Sequence, residues 1–169
     1  MSLQRNITTT LIIAGLLISD TGHTQTLNFN LRGDYYRPTC VFEVNNGRDV
    51  NIGTHDANIF TGVGSASPWE AFDITSGGCS GSVTRVHMRW SGTPNPDNNT
   101  LYAVPGVTGV GIQIQSFDNY AAGPNRNVVS WAPRAAGAAY SHKARFVQTL
   151  ATVGTGTGSA TVTINITYN

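Results

Sequence analysis

Leu27-Asn28-Phe29-Asn30-Leu31-Arg32-Gly33-Asp34-Tyr35 alternates apolar or glycine positions with polar ones, the period of two that β structure imposes because successive side chains point to opposite faces. No turn signal follows, since Tyr36-Arg37-Pro38 leads directly into Thr39 and Cys40. The apolar face of this segment has no sequence neighbour to bury it and reads as a strand built to pack elsewhere. The other end of the sequence has the same pattern, Val162, Ile164, Ile166 and Tyr168 alternating with Thr161, Thr163, Asn165 and Thr167. A domain that begins and ends on alternating strands is expected to share one sheet between molecules.

Between these ends the chain reads as short strands separated by turn chemistry. Cys40, Phe42 and Val44 alternate with Val41 and Glu43 and end at Asn45-Asn46-Gly47. Val50 and Ile52 predict a second short strand. A Gly/Ser-rich loop from Gly62 to Ser67 precedes a strand over Trp69 to Ile74, after which Ser76-Gly77-Gly78 reads as a loop into Cys79. The cleanest internal signal sets Val86, Met88 and Trp90 against Arg85, His87 and Arg89, a strand with one buried face. Further strands are expected over Leu101 to Val104, at Val110, Ile112 and Ile114, at Val128, Val129 and Trp131, and at Ala144, Phe146, Gln148 and Leu150, with a polar loop over Asp118 to Arg126. The best helical candidate, Ala135 to Ala139, is short and interrupted by Gly137. Many short strands joined by Gly- and Pro-containing turns predict an all-β, immunoglobulin-like sandwich, without the cysteine and tryptophan spacing of antibody domains.

Arg5, the apolar block Leu11 to Ile18 and the small and polar residues after it match a secretory signal too short to span a bilayer. Residues 1–24 are therefore expected to be removed, with cleavage between about 21 and 26. The remaining chain has the size of one domain with a two-layer core. Only 11% of residues are charged and the net charge is +1, with the arginines scattered and Lys143 the only lysine. That excludes a phosphate track, and no nucleic-acid partner is expected. Two cysteines in an exported chain, Cys40 and Cys79, are expected to form one disulfide. Closing a loop of about 40 residues stabilises by about 4 kcal/mol in the chain-entropy view.

Nothing in the sequence assembles an active site. His55 beside Asp56 are neighbours whose side chains ordinarily point apart, and no serine lies in a nucleophile elbow. His87 belongs to the polar face of its strand. Gly109 and Gly111 lack the third glycine of a dinucleotide loop, because Ile114 stands there. Glu70, Asp73, Asp97 and Asp118 are isolated acids whose convergence as a glycosidase pair the sequence does not show. Trp69 and Trp131 beside Gly-rich loops raise a sugar-stacking platform, whereas Trp90 falls in phase with the core. No enzyme, metal or cofactor is expected.

The alternating extension ending at Gly33 and Tyr35, Pro38-Thr39-Cys40 with Cys79 as its partner, Gly156 at the fourteenth position from the end, and the stretch Ala160 to Asn169 with penultimate Tyr168 together resemble the pilin subunits of chaperone-usher fimbriae, especially the type 1 group. The resemblance covers essentially the whole of the mature sequence. It implies an incomplete immunoglobulin-like β-sandwich completed by donor-strand complementation, with residues 25–37 as a donor extension and 38–169 as the pilin domain. It also implies a groove along the C-terminal strand, with Gly156, Val162, Ile164, Ile166 and Tyr168 as the groove and chaperone-binding residues. Leu27, Phe29, Leu31, Gly33 and Tyr35 would be the inserting residues. A periplasmic pilus chaperone, an outer-membrane usher and other pilin subunits are the implied partners, and the fimbrium at the cell surface the implied destination. Gly33 reads either as the residue over a constricted part of the groove or as a bulge or turn at Gly33-Asp34. Two rivals remain at this level. One is a receptor-binding adhesin, although tip adhesins of this family carry an added lectin domain and no donor extension. The other is a freestanding, secreted carbohydrate-binding sandwich.

Overall fold

The computed structural model describes residues 39–126 and 128–169. The expected signal (1–24) and extension (25–37), including Leu27, Phe29, Leu31, Gly33 and Tyr35, lie outside the described residues. Among the described residues eight strands carry the fold: β1 (Cys40–Val44), β2 (Glu70–Cys79), β3 (Val86–Gly92), β4 (Tyr102–Ala103), β5 (Val110–Ser116), β6 (Val129–Trp131), β7 (Ala139–Gln148) and β8 (Val162–Tyr168). They form one sheet of order β1-β2-β7-β5-β4 and a second of order β6-β3-β8. Every named ladder is antiparallel. The all-β sandwich expected from the pattern is the fold observed.

Period-two alternation builds the core. Val86, Met88 and Trp90 of β3 are buried, as are Phe72, Ile74 and Ser76 of β2 and Tyr140, His142 and Ala144 of β7. Aromatic rings join the sheets across the interior: Phe72 meets Trp90 edge to face at 6.4 Å and Trp131 meets Tyr140 at 5.8 Å. Such pairs add about 0.5–1.5 kcal/mol beyond area burial. The Tyr102 hydroxyl donates to the Ala122 carbonyl at 2.7 Å, satisfying the one polar atom of a fully buried ring.

Four expectations are corrected. Ser76-Gly77-Gly78 is not a loop: β2 runs on to Cys79, and a bulge absorbs the extra residue, with Phe42 opposite Ser76 and Val41 opposite Gly78. Gly77 sits unpaired between them, and a Cβ there would meet the Val41 Cβ at 3.0 Å, so this bulge is built on a missing side chain. Ala135 to Ala139 is not helical. The Ala138 N–H donates to the Ala135 carbonyl across a turn whose third residue, Gly137, has φ +82°, the type II geometry that favours glycine there. The strand after it begins at Ala139, five positions before the expected Ala144, and excludes Leu150. Val50 and Ile52 pack against the core but form no strand among the described residues. The expected disulfide joins Cys40 and Cys79, which face each other in register between β1 and β2.

His142 stands among Phe72, Trp90 and Trp131, with ring centroids 5.7, 5.0 and 6.0 Å away. Its Nδ1 lies 2.8 Å from the Tyr140 carbonyl. A carbonyl only accepts, so Nδ1 carries a proton, while buried Nε2 has no partner among the described residues and a second proton there would go unpaired. Burial pulls its pKa below the ordinary value, with the Tyr140 bond and the Asp73 charge acting weakly the other way. In the unfolded chain the imidazole protonates near pH 6.5, so below that pH the unfolded state binds a proton that the native state refuses. Stability is therefore full above about pH 6.5 and falls as pH drops toward the depressed native value. Urea midpoints of the wild-type subunit are expected to fall between pH 7 and pH 5, and His142→Phe to flatten that slope; an equal slope in both proteins excludes His142 as its source.

Candidate functional site: an open groove between the sheets

β8 is a strand because Val162, Ile164, Ile166 and Tyr168 alternate with polar residues and because β3 offers a matching edge. Its register sets Val162 opposite Gly92, Ile164 opposite Trp90, Ile166 opposite Met88 and Tyr168 opposite Val86. Its far end is pinned, since the Asn169 carbonyl accepts from the Thr84 and Arg85 N–H groups at 2.6 and 3.0 Å and the Asn169 N–H donates to Arg85 at 3.2 Å. Among the described residues β8 pairs with β3 alone, and its other edge is open. Burial records the same asymmetry: Val86, Met88 and Trp90 are buried, yet the β8 residues facing the same way are only half-buried.

Across that edge lies a groove of about 1120 Å³. Phe72, Trp90, Ile112, Ile114, Ala144 and Phe146 make its floor, Val162, Ile164 and Ile166 one wall, and residues 48–55 the other. The second wall is extended without a ladder among the described residues, and side chains hold it instead. Asn45 Nδ2 donates to the Arg48 and Asp49 carbonyls at 3.3 and 2.7 Å, Asn51 Oδ1 accepts from the Gly53 N–H at 2.9 Å, and His55 Nε2 donates to the Ile52 carbonyl at 2.7 Å. These local bonds supply what a strand would otherwise obtain from a neighbour. The groove thus has two walls presenting unladdered backbone edges and an apolar floor, the arrangement that receives an added strand.

The segment 153–158 closes part of the groove. Gly156 lines it with φ +154°, and a Cβ there would sit 3.2 Å from the Gly106 carbonyl oxygen. Of the expected residues, Gly156, Val162, Ile164 and Ile166 meet at the groove. Tyr168 points the same way but lies beyond its lining, packed on the core beside Val86. The wall at 48–55 was not expected; its signal is the run of Asn45, Asn46, Asn51 and Gly53, residues that bond locally to backbone.

The other candidates do not converge. Asp56 caps the short 3₁₀ turn Ala57–Ile59 by accepting from the Asn58 N–H, while His55 faces Ile52 and Phe146. His87 bonds Ser130 Oγ and Asn169 Oδ1 on the outer face. Among the described residues no group of three or more His, Cys, Asp or Glu is placed to hold a metal. Trp131 faces the interior beside Tyr140 and His142, whereas Trp69 lies beneath the Lys143 and Arg145 cations, so the two tryptophans form no common platform.

Residues 29–169 match the protein family described as Fimbrial protein, and the chain belongs to that family. It is a structural fimbrial subunit, not an enzyme, and its place is the fimbrium at the cell surface. The S-fimbrial protein subunit SfaG of Escherichia coli O6:K15:H31 (strain 536 / UPEC) is 30% identical over 95 residues, 54% of each chain, so the chain spans about half the length of that relative. The probable major fimbrial subunit LpfA of Escherichia coli O157:H7 is 29% identical over 142 residues, 80% of each chain. A chaperone-usher pilus structure, described for rod uncoiling, matches with TM-score 0.65 and 17% identity over 88% of this chain and 97% of that one. The P pilus rod subunit PapA matches with TM-score 0.61 and 17% identity over 72% and 92%. At these identities the structures establish the pilin-type sandwich fold. The adhesin reading is not favoured.

Two residues opposite each other in register test the open layer. Met88→Ala, in a fully buried site, is expected to cost about 2–5 kcal/mol. Ile166→Ala is expected to cost clearly less in the subunit with its groove empty, and to approach the Met88 value once a strand fills it. Urea unfolding with and without an added peptide of residues 25–37 makes the comparison; an Ile166 cost that ignores the peptide counts against an accessible wall.

Proposed function

We propose that this chain assembles into a polymer by donor-strand exchange. It is exported to the periplasm, where a strand from a pilus chaperone fills the groove beside β8; at the outer-membrane usher, residues 25–37 of another pilin, a second copy or a different subunit, replace that strand. The observation that carries this reading is the half-buried apolar face of β8, with its unpaired edge across the groove from residues 48–55. Strand addition of this kind has chaperone and pilin pairing as its standing example.

The energetics favour a strand supplied from outside. Leu27, Phe29, Leu31 and Tyr35 each gain about 1.5–3 kcal/mol on burial, while ordering each backbone residue costs about 1–2 kcal/mol. An isolated extension gains nothing by becoming a strand, because its hydrogen-bond groups and apolar face have no partner. A preformed groove supplies both without itself having to fold. Gly33 is the member of the apolar face with no side chain, which suits close approach to a constricted stretch of floor.

Deleting residues 25–36 is expected to leave the subunit able to bind its chaperone but unable to form the SDS-resistant, heat-dissociable multimers of strand exchange. Gly33→Leu is expected to slow or block the same step in a purified exchange assay with folding on the chaperone intact. Unimpaired assembly of the deletion variant would falsify the assignment.

A further inference from the structure

The outer face of the five-stranded sheet, turned away from the groove, carries a side-chain cluster that the fimbrial reading does not use. β7 presents Lys143 and Arg145 there, in register with Gln115 and Gln113 of β5, because the intervening residues Ala144, Ile112 and Ile114 line the groove on the opposite face. Trp69, just before β2, underlies both cations, with the Arg145 Cζ 4.1 Å and the Lys143 Nζ 5.0 Å from its ring centroid. Lys143 Nζ also stands 5.6 Å from the Phe117 ring. Arg145 Nε donates to Gln113 Oε1 at 2.8 Å, and Lys143 Nζ and Gln115 Nε2 both donate to Asn119 Oδ1, at 3.2 and 3.0 Å. Phe117 completes the cluster and is 54% exposed.

Two like charges two residues apart on one strand repel across about 7 Å. The indole and phenyl quadrupoles offset that repulsion. Among the described residues no carboxylate forms an ion pair with either cation; Asp73, on the adjoining strand, is in register with Ser141. Among the described residues most of the N–H groups of Lys143 and Arg145 have no hydrogen-bond acceptor, nor do the amide nitrogens of Gln113 and Asn119. The unspent bonding capacity is therefore mostly donor and cationic, which suits an anionic ligand rich in acceptors. Two cations are too few for a phosphate track. The exposed Phe117 ring and the row of amides distinguish the face from a bare charge patch, since a flat apolar face suits the C–H face of a pyranose and amides suit hydroxyls.

We infer that this face is a binding site for a carboxylated sugar of an acidic polysaccharide. The carboxylate sits on Lys143 and Arg145, the ring packs on Phe117, and the hydroxyls meet Gln113, Gln115 and Asn119. The site is on the opposite side of the sheet from the groove and does not depend on strand exchange. In a polymer each subunit repeats it, so a weak single contact gains through multivalency.

The test is binding of polygalacturonate to the exported, immobilised full-length subunit, with dextran as the neutral control and polyglutamate as the acidic peptide control. Polygalacturonate is expected to bind and dextran not to. Lys143→Gln with Arg145→Gln is expected to weaken binding about tenfold or more, and added salt to weaken it further. Phe117→Ala, at a side chain 54% exposed, is expected to weaken polygalacturonate binding while leaving polyglutamate unchanged. No binding to polygalacturonate, equal binding to dextran, full binding by a folded Lys143/Arg145 variant, or indifference to the aromatic variant each overturns the inference. The last outcome, with polyglutamate bound equally well, assigns the face to an acidic protein segment instead.

Discussion

The one-sided ladder between β3 and β8 is the constraint on which the rest of the molecule depends. β3 is a central strand whose Val86, Met88 and Trp90 are buried by the opposing sheet, and it holds β8 in register through seven residue pairs. β8 gives its inner face to the same interior but receives cover from one side only. A sandwich normally resolves such an edge by charge, shortness or a covering loop. Here the edge is a full-length, uncharged strand of β-branched residues, the kind that invites pairing, which is a liability in a freestanding domain and a resource in a subunit that polymerises.

Tolerating that edge requires a core that stays ordered without it. The aromatic cluster of Phe72, Trp90, Trp131, Tyr140 and His142 ties the two sheets together, with Phe72 and Trp90 reaching the groove floor. The opposite wall is fixed by Asn45, Asn51 and His55 bonding to their own neighbourhood rather than to a partner strand. Both walls are thus preformed, and an incoming segment has only its own entropy to lose.

Much of this was legible in the period-two alternation. The strands at Val86–Trp90, Val110–Ile114 and Val162–Tyr168 follow from it, since each has one face committed to the interior. The misreadings share a cause: partners far away in sequence decide what local composition cannot. Gly77 and Gly78 look like a loop until β1 pairs across them, and Val50 and Ile52 look like a strand although no ladder forms there among the described residues. His142 is in phase with Ala144 and Phe146, so its buried place was readable, but starting the strand at Ala144 hid it. The cations of the outer face were visible singly; their assembly over Trp69 depends on the register of β5 with β7.

The disulfide at the beginning of β1 has a mechanical consequence. Cys40 follows the proposed extension almost immediately in sequence, and among the described residues β1 is the edge strand of its sheet. If a neighbouring subunit holds the proposed extension, tension in the fibre reaches the domain at the start of β1 and loads the β1–β2 ladder from that end. The Cys40–Cys79 bond sits at the first pair of that ladder. It passes the load covalently to β2, which pairs with β1 on one side and β7 on the other, so the hydrogen bonds of the edge strand do not bear it alone.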